Sequence, residues 1–133
     1  MRISRRMGAT VLAATALALS GCSGPSSVQD ARAKVDLFHQ RLDAGDIEAI
    51  WKDSGPEIQG TDKQAFARFL GAIRDQLGKV RESKQVGWHA EASTSGSSAE
   101  VIMQTTFERG SRKESFVYKG SGEQQKLAGY HIE

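Results

Sequence analysis

Few side chains in this 133-residue chain could do acid–base, metal or nucleophilic chemistry: three histidines (His39, His89, His131), one cysteine (Cys22), and four carboxylates placed near apolar segments (Asp36, Asp43, Asp46, Glu114). The histidines are too far apart in sequence to form the closely spaced pair of a metal motif. A general acid–base pair needs a carboxylate in an apolar setting, where desolvation shifts its proton affinity. Asp36 and Asp43 lie seven residues apart on the polar side of one helical pattern, and Asp46 stands where a helix cap belongs. Gly120-Ser121-Gly122-Glu123 lies between two strand patterns and lacks the lysine-serine pair of a phosphate loop, so it reads as a turn. The expectation is therefore no metal, no cofactor and no catalysis. A constellation formed in space, by a fold that lays the first helix against a sheet, stays open.

Cys22 is different, because its surroundings are informative. The chain begins with a basic stretch, Met1 to Arg6, that carries three arginines and no acid, followed by thirteen uncharged residues, 7–19. At about 1.5 Å per residue such a run covers only about 20 Å of a ~30 Å hydrocarbon core, too short for a comfortable transmembrane helix. Basic start and short apolar run together form a secretory signal pattern. Leu19-Ser20-Gly21-Cys22 then resembles the lipobox of bacterial lipoproteins. The resemblance implies cleavage of residues 1–21 and a mature chain that begins with a lipidated, palmitate-bearing Cys22. A free thiol in an oxidising compartment, with no second cysteine to pair with, would be a liability that acylation removes. Ser23, where retained inner-membrane lipoproteins have aspartate, implies outer-membrane residence facing the periplasm if the source has two membranes.

Processing changes the charge reading. Three of the 18 basic residues and none of the 16 acidic ones precede Cys22, so the whole chain's +2 becomes about −1, with both signs interspersed. Nucleic-acid binding, which needs a clustered positive surface, is not expected. The remaining 112 residues suit one domain, 28–133, held by a tether at 22–27 of at most about 17 Å beyond the cysteine.

The elements that must position any site follow from periodicity. Val28, Ala31, Val35, Phe38 and Leu42 recur at spacings of three and four, with Ser27 as the expected cap and Gly45 as a stop. A short helix capped by Asp46 carries Ile47, Ile50 and Trp51 and ends at Ser54-Gly55-Pro56. Thr61 and Gln64 match a capping box for a third helix with Phe66, Phe69, Leu70, Ile73 and Leu77 inward. Beyond Gly78 the period falls to two. A first strand places Val80, Glu82, Lys84, Val86, Trp88 and Ala90 on one face. In the second, Val101, Met103, Thr105 and Phe107 face the helices, after a loop at 93–98. Gly110-Ser111-Arg112 reads as a turn into a third strand at 114–119, and residues 126–132 form a fourth. Three N-terminal helices packed on a curved antiparallel sheet of about four strands is an α+β order.

The segments FHQRLDAGDIEAIW, FARFLGAIRDQLGKVRES and KLAGYHI, in this order, resemble small exported bacterial proteins with a cystatin-like roll in the nuclear transport factor two-like superfamily. Gln125 departs from the tryptophan that often opens their last strand. The resemblance implies the fold and is nearly silent on activity. The reading is thus an envelope lipoprotein, noncatalytic, that binds a protein partner or a small apolar ligand. The alternative is a small hydrolase or isomerase with its active site inside the roll. Gly129 within the last strand marks a bulge or a close approach, and the candidate ligand pocket is floored by Tyr130 and walled by Trp51 and Trp88.

Overall fold

The structure, a computed structural model, describes residues 24–133; the expected signal segment with Leu19, Ser20, Gly21 and Cys22 lies outside the described residues. The chain is α+β, with four helices preceding a four-stranded antiparallel sheet. The helices are α1 (Ser26–Ala44), α2 (Ile47–Lys52), α3 (Pro56–Gln59) and α4 (Lys63–Leu77). The strands β1 (Val80–Ser93), β2 (Gly96–Phe107), β3 (Gly110–Lys119) and β4 (Lys126–Ile132) form a meander in sequence order. Among the described residues no helix is long and apolar enough to cross a membrane.

The stripe Val28, Ala31, Val35, Phe38 and Leu42 is buried, with α1 packed on β1, β2 and β3. After Ala44, Gly45 takes a left-handed φ of 73° and donates its N–H to the Leu42 carbonyl at 3.0 Å, while the Asp46 N–H reaches Arg41 O at 2.8 Å. Asp46 caps α2 by accepting from the Ala49 N–H.

Several boundaries differ from expectation. The first helix starts at Ser26, inside the expected tether, and Ser27 does not cap it: the Pro25 carbonyl takes the Val28 and Gln29 N–H groups. A fourth helix exists because Pro56, with its preset φ, both ends the preceding turn and opens α3. Asp62 rather than Thr61 caps α4, through the Ala65 N–H at 3.0 Å, and the Thr61 hydroxyl instead donates to Ile58 O at 2.6 Å. Gly110 already pairs with Phe107, so the β2–β3 turn is Glu108-Arg109 and the residues expected as a turn belong to β3. The expected loop at 93–98 shrinks to Thr94-Ser95, because Ser93 pairs with Gly96.

In β2 the alternation holds: Val101, Met103, Thr105 and Phe107 are buried toward the helices, and Gln104 and Thr106 are exposed on the outer face. In β1 it does not. Register shifts between Val80 and Glu82 and between Gln85 and Gly87 each insert a residue and invert the phase. Ser83 and Gln85 thus pair with the buried Thr105 and Met103, Glu82 and Lys84 turn outward, and Val86 sits in the bulge at 60% exposure. A further shift lies beside Gly129, between the pairs Val117–Gly129 and Tyr118–Leu127, as a strand glycine suggested. Phe69, expected in the core, is 43% exposed on α4.

A buried carboxylate cluster

The alternation of β3 places Glu114, Phe116 and Tyr118 toward the helices, and all three are buried. Glu114 is therefore a carboxylate in the apolar phase of a strand, between Met103 on β2 and Ile132 on β4, with no exposed surface. An ionised carboxylate there is tolerable only with partners. Two supply it. His39 lies one residue beyond Phe38 on the α1 stripe, and its Nε2 is 2.8 Å from Glu114 Oε1. Tyr130, opposite Phe116 in the register, donates its hydroxyl to Glu114 Oε2 at 2.5 Å.

Aromatic rings enclose the cluster. Phe38 packs against Phe116 and Tyr130 at centroid distances of 5.0 and 4.9 Å, and the His39 ring lies 5.7 Å from that of Phe116. Burial first, then the charge and hydrogen bond of Glu114, push the Tyr130 hydroxyl far above the usual tyrosine range, so it acts as a donor at neutral pH. The set could in principle pass a proton between His39 and Glu114, but a substrate would have to reach it. None of the five best-defined hollows among the described residues is lined by His39, Glu114 or Tyr130.

Two of these hollows lie beside core or exposed aromatic side chains. One of about 20 Å³, room for about one water, lies between α1, α2 and the sheet beside Arg41, Asp53 and Tyr118. Burial raises the proton affinity of Asp53, but the hydrogen bond and charge of Arg41, with Lys126 behind, outweigh it and hold the carboxyl below its usual range. Burial also pushes the Tyr118 hydroxyl well above its usual range. The second, about 290 Å³, is a groove between α4 and β4 with Phe69, Ile73, Leu77 and Ile132 along it and Arg112 and Glu133 at its rim.

The remaining candidates are occupied or dispersed. Asp36 pairs with Arg32 one turn away, Asp43 accepts the Val80 N–H at 3.1 Å and so starts β1, and Asp46 is a cap. His89 and His131 are exposed on strands, His89 beside Glu91. Among the described residues no group of three or more His, Cys, Asp or Glu side chains could hold a metal ion.

The residues expected to line one pocket are not brought together. Trp51 packs on Phe66 at 5.6 Å, with the Lys63 ammonium 5.9 Å from its ring. Trp88 and Tyr130 share a cross-strand row through Val101 and Phe116, but from opposite edges of the sheet. Three strand spacings of about 4.8 Å separate them by roughly 14 Å. Gly129 opposes Val117, whose Cβ would be 3.6 Å from an added side chain, so its missing side chain does not open a space beneath Tyr130.

Sequence reasoning named His39 and Glu114 separately and missed their pairing. The signals were present: His39 follows Val35 by four residues and precedes Leu42 by three, on the apolar stripe, and Glu114 shares its phase with Phe116 and Tyr118. Comparison of the chain with protein-family models, with curated proteins and with solved structures found no match.

Proposed function

We propose that this chain is an exported lipoprotein, anchored by an acylated Cys22 after loss of residues 1–21, whose single domain binds a partner protein or a small apolar ligand at its surface and carries out no reaction inside. The anchor reading rests on the Leu19-Ser20-Gly21-Cys22 pattern, its basic start and its short apolar run. Two or three acyl chains, each adding about 0.8 kcal/mol per buried methylene, would hold the domain on a bilayer without a transmembrane helix. Ser23 favours the outer membrane, periplasmic side, in a cell with two membranes. The order of helices followed by a meander, with bulges that bend β1 and β4, is compatible with a roll of the nuclear transport factor two-like kind.

The observation that carries the noncatalytic reading is the state of Glu114. The carboxylate best placed for interior chemistry has both oxygens engaged by side chains of the same core and lines none of the five best-defined hollows. That argues for a structural clamp and against the alternative of a hydrolase or isomerase. The apolar groove between α4 and β4, with the exposed Phe69 on its wall, is the better place for a ligand.

The test is metabolic labelling with a fatty-acid probe, combined with native mass spectrometry of the purified protein. Labelling lost in Cys22→Ser, together with a ligand or partner whose retention Phe69→Asp reduces, is the expected result. Labelling that survives Cys22→Ser contradicts the anchor. Turnover of ester or ketosteroid substrates that disappears in Glu114→Gln contradicts the noncatalytic reading.

A further inference from the structure

Phe69, Val86 and Trp88 are the large apolar side chains exposed among the described residues, and two of them lie two residues apart on the edge strand β1. Trp88 is 46% exposed although it points to the helix side, opposite Val101. Its ring is covered on one side by the beginning of the described chain. At Gly24 a Cβ would lie 3.0 Å from the indole Cε2 and 3.1 Å from Cδ2. The residue also has a φ of 79°, so both the close approach and the backbone turn call for glycine.

Covalent geometry then limits how far Trp88 can be from the anchor. Cys22 is two residues before Gly24, and two residues of extended chain span at most about 7 Å. A bilayer's headgroup layer is roughly 5 to 8 Å thick on each side of its hydrocarbon core. An acylated Cys22 sits at that layer, which keeps the indole packed on Gly24 within about 11 Å of the anchor, close enough to reach the headgroups. Tryptophan is the side chain enriched there, since it combines a large apolar body with an N–H that stays hydrated.

We propose that Trp88, with Val86 beside it, is a second membrane contact that inserts into the lipid headgroup layer next to the acylated Cys22 and lays the edge strand β1 along the bilayer. The inference rests on the lipid-anchor reading and adds the surface through which the domain is oriented. Val86 is suited to the role because the bulge at 85–87 exposes it at the sheet edge. Around them β1 mixes Arg81, Glu82, Lys84 and Glu91, so the contact depends on apolar insertion and not on anionic lipid. The same contact covers the hydrogen-bonding edge of β1, which would otherwise be open to strand addition.

The chain has two tryptophans, which makes the test clean. The full-length gene is expressed, and the processed protein is purified in detergent and reconstituted into phosphatidylethanolamine–phosphatidylglycerol vesicles, with or without bromine at shallow acyl positions. In Trp51→Phe, where Trp88 is the sole indole, emission shifts to the blue on reconstitution and is about twofold lower in brominated vesicles, as an interfacial indole requires. In Trp88→Phe, where Trp51 is the sole indole, emission is the same in both vesicles. Should Trp51→Phe fail to fold, quenching of the wild-type protein that disappears in Trp88→Phe gives the same answer. Equal Trp88 emission in the two vesicle types, from protein that carries the acyl mass and floats with lipid, overturns the proposal and leaves the anchor standing. Protein that has no acyl mass and does not float removes the anchor, and the proposal with it.

Discussion

Replacing His39 with leucine should measurably destabilise this domain. Glu114 has no exposed surface, and His39 is the partner of its Oε1 at 2.8 Å. Removing His39 leaves an oxygen of a fully buried carboxyl group without its hydrogen-bond partner, at a cost of about 1 to 3 kcal/mol. Against a total of about 5 to 15 kcal/mol for a small domain, that is a substantial share. Tyr130→Phe removes one donor to the same carboxylate and should cost about 1.5 to 3 kcal/mol. The triple variant His39→Leu, Glu114→Met, Tyr130→Phe leaves no polar group unsatisfied and keeps the volume roughly constant. It should lie near the wild type or above it by about 1 to 4 kcal/mol. Equilibrium unfolding in urea at pH 7, with linear extrapolation, measures all three on one scale. A loss below about 1 kcal/mol for His39→Leu would refute the view that Glu114 is a buried polar group in need of a partner. A triple variant less stable than His39→Leu would show that the polar cluster contributes more than its own satisfaction.

The two faces of β2 should respond differently: Phe107→Ala, at a buried helix-facing position, is expected to cost about 3 to 5 kcal/mol, and Thr106→Ala, exposed on the outer face, under about 0.5 kcal/mol. Equal losses in urea unfolding would mean that the outer face is covered as well. Both tyrosines of the chain, Tyr118 and Tyr130, have hydroxyls held above the unfolded value near 10, chiefly by burial. Because the folded pKa values are raised, this contribution to stability is fully present below about pH 10 and declines as the pH rises past the unfolded value. Absorbance of tyrosinate should therefore stay flat through about pH 10 and rise together with loss of structure; a titration near pH 10 in the folded state would contradict the burial of either ring.

How far the sequence foretold this fold depends on whether the deciding interaction is local. The α1 stripe, the Asp46 cap and the stop at Gly45 are decided within one or two turns of helix, and all were legible. The inward set on β2 was legible because its pairing with β3 is regular and the bulges of the β1–β2 pairing put their extra residues into β1, so β2 itself keeps an unbroken alternation. The phase of β1 was not, since its two bulges are set by pairing with β2 and leave the alternation of Val80 to Ala90 looking regular. At the start of α4, Thr61 and Asp62 both suit a cap, and the Thr61 hydroxyl is drawn to the Ile58 carbonyl, which only the chain's path through α3 brings near. The cluster of His39, Glu114 and Tyr130 spans three elements, with Glu114 75 positions after His39, so the burial of each was legible from its own phase but no sequence spacing could announce their pairing. The expected pocket failed for the same reason, because aromatic residues seen at intervals say nothing of which sheet edge each one occupies.

The central claim is that the side chains able to do chemistry in the interior are sealed, and the most direct test is the reactivity of the three histidines toward diethylpyrocarbonate in the native protein. His89 has a 64% exposed side chain and His131 is also exposed, whereas His39 is 5% exposed behind Phe38 and Phe116. The account predicts rapid modification at His89 and His131, located by peptide mass spectrometry, with His39 unmodified until urea unfolds the domain. Modification of His39 in the folded protein at a rate comparable to His89 would contradict it, because a reagent that reaches His39 shows a path by which a substrate could reach Glu114.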